Sequence, residues 1–243
     1  LIHKIAKREG IGAILAEGVK RAAARIGRNS EEFALHVKGL ELPMHEPRGK
    51  KGLGLSYATS NRGACHVQAY HDDMLESEDN MKAKEGFGFD PSIQPRDRLY
   101  AGREKVMLVK LYEDFIAFSD SFIFCKFYAF RSSDKNVVDL FNSITGWNVT
   151  AKDLMRVGER VFNLCRAFNV REGFSRKDDT LPKRLMEPLK EGAYKGESIS
   201  QDVLDGMLDN YYELRGWDVN TGIPKRTKLE ELGLEYVADA LRL

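Results

Sequence analysis

LYAGREKVMLVKLYEDFIAFSDSFIFCKFYAF, residues 99–130, is a long stretch in which apolar side chains occur on nearly every side of a helical projection. A helix that is apolar all round is buried, so this segment is expected at the centre of the fold. Within it, Asp120 would be costly to bury without a partner. A cysteine such as Cys125 in this setting is ordinarily an inert core thiol, but the acid five residues earlier favours a polar ligand nearby.

Helical periodicity continues on both sides of this stretch. Residues 11–26 place apolar side chains on one face, and Gly27 is a natural helix end. Further helices are predicted at 134–144, 151–168, 200–215 and 228–241. The only strand candidate is 38–42, and we therefore expect an all-α, multihelical fold.

Composition excludes several classes of protein. The 243 residues carry 38 Lys plus Arg against 37 Asp plus Glu, which gives no basic excess of the kind that nucleic-acid binders show. No run approaches the length of a membrane span, so we expect no membrane association. Three cysteines are too few and too far apart for a secreted disulfide framework, and they indicate a reducing, cytoplasmic setting.

Residues 38–66 form a glycine-rich segment with little periodicity, and such segments often bind ligands. Its end, RGACH at 62–66, combines a cation suited to anions with an imidazole suited to proton transfer at neutral pH. The alternative interpretation is a structural histidine beside a buried Cys65. The remaining histidines, His3, His36, His45 and His71, show no i, i+4 ligand pair, which gives a histidine metal site little support.

The rest of the chain offers fewer candidates. Residues 71–98 are polar and acidic, and they are interpreted as an inserted surface loop that has room for one short helix. Cys165 lies in an amphipathic pattern and is interpreted as core filler.

Five ordered segments together resemble the C-terminal portion, domains two and three, of the tungsten-containing aldehyde ferredoxin oxidoreductase family. They are IAKREGIGAILAEGVKRAA (5–23), HVKGLELPMHEPRG (36–49), GLGLSYATSNRGACH (52–66), DDTLPKR (178–184) and YYELRGW (211–217). The resemblance implies that residues 1–35 close a helical middle domain and that 36–243 form a helical C-terminal domain. It also implies that the family's pterin-binding N-terminal domain lies outside this chain, which starts at Leu1 without a methionine.

The resemblance also implies roles for individual residues. His66 corresponds to the family's histidine beside the metal, which takes part in proton transfer, and Arg62 to an arginine that contacts the cofactor. Asp120 and Cys125 match the ends of an Asp-x-x-Gly-Leu-Cys motif, in which the Asp contacts a pterin and the Cys ligates a 4Fe-4S cluster. Phe124 takes the position of the Leu that reaches the pterin through its backbone.

Two positions depart from the family pattern. Ile123 replaces the glycine of the acidic motif, and a β-branched residue does not readily copy a glycine conformation. Gln68 stands where archetypal members carry a lysine that meets a pterin.

The implied function is oxidation of an aldehyde to a carboxylic acid. The implied cofactors are a tungsten or molybdenum bis-pterin and a 4Fe-4S cluster. Ferredoxin would be the electron acceptor, and the assembly would be a homodimer or a monomer. Two alternatives remain: a class II benzoyl-CoA reductase type of catalytic subunit, and a non-catalytic helical module.

Overall fold

The computed structural model describes residues 1–69, 71–74, 76–90, 92–93 and 97–243, and all the structural statements below concern these residues. The α-helices are α1 (Ile2–Ala6), α2 (Ile11–Leu15), α3 (Val19–Ile26), α4 (Lys51–Thr59), α5 (Glu78–Lys82), α6 (Arg103–Ser121), α7 (Lys126–Arg131), α8 (Asp134–Thr145), α9 (Ala151–Arg171), α10 (Lys183–Met186), α11 (Gln201–Arg215), α12 (Arg226–Glu231) and α13 (Glu235–Ala240). Short 3-10 helices lie at Ser30–Phe33, Pro47–Gly49, Asp72–Met74, Glu85–Phe87 and Arg176–Asp178. The described strands are β1 (His36–Val37) and β2 (Leu40–Glu41), which pair antiparallel with Val37 opposite Leu40. The prediction of an all-α fold is confirmed.

Several predicted helices are shorter than expected because positive-φ residues interrupt them. The predicted helix at 11–26 breaks at Gly18, whose φ of 82° is a conformation that glycine adopts easily. The Glu41 side chain then accepts a hydrogen bond from the Val19 backbone N–H at 2.8 Å and so caps α3 from the hairpin. Gly233, with φ 66°, divides the predicted helix at 228–241 into α12 and α13 in the same way.

The long helix α6 is buried as predicted, and it packs against α9. Gly158 of α9 faces the backbone of α6 so closely that an added Cβ would lie 1.8 Å from the Asp114 carbonyl oxygen. Only a glycine therefore permits this approach of the two helices. Phe115, Phe118 and Leu154 belong to one core cluster between these helices.

The segment at 71–98 is not the surface loop that its polarity suggests. Met81, Phe87 and Phe89 are buried in the same cluster as α6. Lys84 is also buried, and its ammonium donates hydrogen bonds to Asn80 Oδ1 at 3.0 Å and to the Ser132 carbonyl at 3.3 Å. The interpretation as a surface loop is therefore wrong for these buried side chains, whereas α5 is the one short α-helix that it allowed. Residues 75, 91 and 94–96 lie outside the described residues.

A second core lies around α4 and α11, and it contains buried charges. Trp217 is fully buried, and its indole N–H donates to Asn163 at 2.7 Å. Arg215 lies between Glu113, at 2.7 Å, and Asp114, and all three side chains are at most 2 % exposed. These ionic contacts hold α11 on α6.

Asp179 organises a second buried charge cluster. Its carboxylate pairs with Arg166 at 2.8 Å and with Lys38 at 2.8 Å, and it accepts a hydrogen bond from the Tyr212 hydroxyl at 2.5 Å. Lys38 also donates to the carbonyl of Ala58, near the end of α4. The cluster therefore ties the β1–β2 hairpin and α4 to α9 and α11.

No described helix has both the length and the apolar character that crossing a bilayer requires.

Candidate functional site

The segment 38–66 is more regular than its glycine content predicts. It contains the buried helix α4, whose Gly54 makes room for Ile199: an added Cβ would lie 2.3 Å from Ile199 Cδ1. The RGACH stretch follows α4 directly. Its Gly63 has φ 101° and lies so close to the hairpin that a Cβ would come within 2.3 Å of the Val37 carbonyl. Glycine here sets the path of the chain into His66.

His66 is half-buried, whereas Arg62 is exposed and Cys65 is buried. Burial lowers the pKa of His66, and the positive potential of His45, Lys126 and Arg62 lowers it further. The imidazole is therefore more readily kept neutral near pH 7 than an ordinary histidine, and a neutral imidazole can accept a proton.

The second candidate segment is a turn at 122–125, between α6 and α7. Asp120 lies in the last turn of α6 and is 49 % exposed, so the expectation of a buried carboxylate was wrong. Cys125 is exposed as well, and it precedes α7 instead of lying within one continuous helix. The chain leaves the helix because Ile123 adopts a φ of 60°.

Ile123 thus takes up a left-handed conformation that glycine favours, although its side chain is β-branched. Its side chain is 90 % exposed, so no packing within the described chain compensates for the strain. Phe124 is half-buried and stacks with Tyr128 at a centroid separation of 5.5 Å. The turn therefore presents Asp120, Ile123 and Cys125 outward.

Lys126 joins the two candidate segments. Its ammonium donates a hydrogen bond to the Val67 carbonyl at 2.6 Å and another to Asp120 Oδ2 at 3.2 Å. Val67 follows His66 in the chain, so one lysine brings the imidazole and the acidic turn to the same face. Lys126 could not be recognised as a functional residue from the sequence, because a lysine beside a cysteine matches no motif.

Gln68 is held by a local contact. Its side-chain oxygen accepts a hydrogen bond from the Ser60 hydroxyl at 2.5 Å. The side chain of Gln68 is therefore engaged within its own loop.

Two further histidines that sequence reasoning set aside lie beside His66. The ring of His45 is 5.1 Å from that of His66 and 4.3 Å from that of His71, measured between centroids. His66 and His71 lie in the same connection after α4, whereas His45 lies in the loop after β2, so the spacing of the histidines along the chain does not by itself reveal the cluster.

Cys165 lies away from these contacts, on α9. It is exposed, so the interpretation as core filler was wrong, and partial desolvation raises the pKa of its thiol. All three cysteines are free thiols. In the part of the chain that the structure describes, no three His, Cys, Asp or Glu side chains converge as a complete metal site.

A groove of about 1150 Å³ opens on another part of the surface, where Phe33, Arg184 and Leu189 are among the lining residues. Neither His66 nor the turn at 122–125 lines it. The groove's volume alone therefore does not mark it as the site of chemistry.

The candidate site thus has an exposed thiol at Cys125, a carboxylate at Asp120 and an imidazole of lowered pKa at His66. The profile described as "Aldehyde ferredoxin oxidoreductase, domains 2 & 3" matches residues 1–234. The chain belongs to this family of oxidoreductases.

The related proteins are much longer than the region that matches this chain. The chain is 43% identical over 236 residues to the tungsten-containing aldehyde ferredoxin oxidoreductase of Pyrococcus abyssi, which covers 96% of the chain and 36% of that protein. It is 32% identical over 246 residues to the aliphatic sulfonate oxidoreductase, WOR-like subunit, of Pyrococcus furiosus, which covers 96% of the chain and 34% of the relative. The chain thus spans about a third of the length of the curated relatives it matches.

Among solved structures, the chain resembles the active site complex BamBC of benzoyl coenzyme A reductase in complex with 1,5-dienoyl-CoA. The TM-score is 0.72 at 24% identity, over 99% of this chain and 39% of the other. This likeness establishes the fold.

Proposed function

We propose that this chain supplies domains two and three of an enzyme that oxidises aldehydes to carboxylic acids and passes the electrons to ferredoxin. The observation that carries the proposal is the Lys126 bridge, which brings His66 and the turn at 122–125 to one face. The reaction converts an aldehyde and water into a carboxylic acid, two protons and two electrons. The division into a middle domain at 1–35 and a C-terminal domain at 36–243, and the cytoplasmic location, belong to the same proposal.

The residues present fit the cofactors that the family uses. Cys125 offers an exposed thiol, and thiolates are the usual ligands of iron–sulfur clusters. Asp120 is exposed and can accept hydrogen bonds from a pterin, while Phe124 and Ile123 lie in a turn that brings backbone to the surface. A tungsten or molybdenum bis-pterin, when bound, supplies the two-electron oxidation.

The chain's own residues transfer a proton and position the side chains that contact the cofactor. His66, held neutral by burial and by its cationic neighbours, accepts a proton at a ring nitrogen as the aldehyde is oxidised. Arg62, exposed beside it, provides a cation for an anionic part of the cofactor. Lys126 positions the Asp120 carboxylate and the backbone next to His66.

The test is metal and pterin analysis of the holoenzyme purified without oxygen, combined with an aldehyde screen. Cys125→Ala should lose cluster iron, whereas Cys165→Ala, at another exposed thiol on α9, should keep it. His66→Asn should retain metal and pterin and lose turnover by about 10²-fold or more. Absence of both tungsten and molybdenum, or unchanged iron in Cys125→Ala, would contradict the proposal.

A second candidate is reduction of an aromatic acyl-CoA. It is favoured by the departures at Ile123 and Gln68, where this chain differs from archetypal aldehyde-oxidising members, and the likeness in fold to BamBC is compatible with it. Turnover of benzoyl-CoA without turnover of any aldehyde would select this candidate.

A further inference from the structure

The three histidines His45, His66 and His71 form a compact imidazole cluster. Their ring centroids are separated by 5.1 Å from His45 to His66, by 4.3 Å from His45 to His71 and by 6.1 Å from His66 to His71. His45 therefore stands between the other two. At these separations neighbouring rings are close to contact, but no direct hydrogen bond joins the three described rings. A proton therefore moves between them after a small rotation of a ring or through a bridging water.

The hydrogen bonds define where protons reside on this cluster. His71 Nε2 lies 3.0 Å from the carbonyl oxygen of His66. Because a carbonyl can only accept, His71 Nε2 carries its proton and the lone pair of the neutral ring is on Nδ1. His71 thus has an acceptor nitrogen available for a proton that arrives from elsewhere.

His45 is fixed through its backbone. Its N–H donates to the Pro43 carbonyl at 2.8 Å, and its own carbonyl accepts a hydrogen bond from the Tyr57 hydroxyl at 3.2 Å. None of the described residues forms a hydrogen bond with the His45 ring. The ring is held in place and its nitrogens are left for its neighbours or water.

Beyond His71 the cluster meets an ion pair at the surface. Lys50 and Asp73 are 2.5 Å apart, and the Asp73 side chain is 45 % exposed. Arg98 also pairs with Asp73, at 3.2 Å. Both Lys50 and Asp73 act electrostatically on His71, in opposite directions. The cluster therefore extends from His66 to a carboxylate in contact with solvent.

We propose that His66, His45 and His71 form a three-imidazole path that carries a proton released in turnover to water beside the Lys50–Asp73 pair. This inference rests on the proposed function, because aldehyde oxidation releases two protons that must leave the site. The proton taken by His66 passes to His45 and then to His71 Nδ1, and each ring breaks one N–H bond as the next forms one. Because His71 keeps its Nε2–H on the His66 carbonyl, its Nδ1–H bond breaks in the last step, the proton goes to water and the ring becomes neutral again. No oxidant or reductant is needed, since only protons move.

The charges around the three histidines are compatible with proton transfer from His66 towards His71. His66 faces His45, Lys126 and Arg62, and burial together with these groups lowers its pKa. Burial also lowers the pKa of His71, an effect that the hydrogen bond to the His66 carbonyl opposes. Neutral rings at both ends can accept a proton and then release it.

The experiment uses His45→Phe and His45→Gly in the holoenzyme, with His3→Gln, an exposed histidine in α1, as the matched control. Turnover should fall by about 10-fold or more in both His45 variants. Imidazole added to the buffer should restore part of it in His45→Gly, and tungsten and iron contents should not change. His3→Gln should match the parent enzyme.

A second readout does not depend on turnover. Carbethoxylation requires a neutral imidazole, so its rate against pH, followed at His66 by peptide mass spectrometry, reports the pKa of that ring. Removing His45 should shift this profile to higher pH. Unchanged turnover in both variants overturns the proposal, and so does a loss that imidazole does not restore while the His66 profile stays the same.

Loss of tungsten or iron in both His45 variants would assign His45 to cofactor retention and would also overturn the path. Failure of the proposed function gives a different result, since the parent enzyme itself would then lack aldehyde turnover or both metals.

Discussion

The YYELRGW segment at 211–217 and the turn at 122–125 both resemble family motifs, yet the structure gives them opposite environments. Arg215 is fully buried between two carboxylates. Asp120 and Lys126, beside the turn, are 49 % and 25 % exposed. A motif of charged and aromatic residues can therefore serve the core or a binding surface, and burial distinguishes the two.

The DDTLPKR segment at 178–184 belongs with the core. Its Asp179 pairs with both Arg166 and Lys38 inside the protein, so this segment contributes to the buried core. The difference in burial also predicts different energetics. Breaking a buried ion pair leaves an uncompensated charge, whereas a surface pair contributes little.

The largest loss of stability is expected for a substitution in the buried 211–217 segment. Arg215→Met removes the cation between Glu113 and Asp114 and should lower the free energy of unfolding by about 3–5 kcal/mol, measured by chemical denaturation. The matched control is Arg226→Met, which breaks an exposed pair with Asp239 and should have a far smaller effect on the free energy of unfolding. If the two substitutions lowered the free energy of unfolding equally, burial would not distinguish the energetic roles of the two ion pairs.

The next effect is a gain in stability at the turn. Ile123→Gly places glycine where φ is 60° and should stabilise the protein by up to about 1 kcal/mol, because it relieves left-handed strain at a side chain with little packing. Ile144→Gly is the control, since Ile144 is also exposed but lies in α8, where glycine costs about 0.5–1 kcal/mol. A loss at Ile123 as large as that at Ile144 would show that the turn is not strained.

The smallest change in stability is expected at Lys126, whose ammonium contacts both Asp120 and the Val67 carbonyl. Lys126→Met should change the free energy of unfolding by less than about 1 kcal/mol, because its ion pair with Asp120 is partly exposed. The same substitution removes a cation that faces His66 and should raise the pKa of that imidazole, measured by carbethoxylation against pH. Lys135→Met, which breaks an exposed pair with Asp139 on α8, should leave the His66 profile unchanged.

The helical fold could be predicted because apolar periodicity is local information. Helices α8, α9 and α11 begin at or within one residue of their predicted starts, since Ser133, Thr150 and Ser200 each accept a capping hydrogen bond. The breaks at Gly18 and Gly233 were missed, because a glycine within a periodic pattern does not by itself indicate which φ it adopts.

Only some residues of the candidate site could be predicted from the sequence. His66 and Cys125 could be identified by resemblance. The exposure of Cys125, however, depends on where α6 ends, and a β-branched Ile123 gives no signal for a helix end. The distant partners of His66 could not be predicted, because His45 and Lys126 reach it from separate parts of the chain.

The close approach at Gly158 has a mechanical consequence for the distant turn. Asp114, where the α9 backbone meets α6, lies six residues before Asp120, which is about 9 Å along a helix. A larger residue at Gly158 that tilted α6 by about 10° would displace Asp120 by roughly 1.5 Å, and displacements of about 1 Å can cost two orders of magnitude in rate. The contact between α6 and α9 thus acts as a pivot, which sets the position of the turn from the interior of the protein.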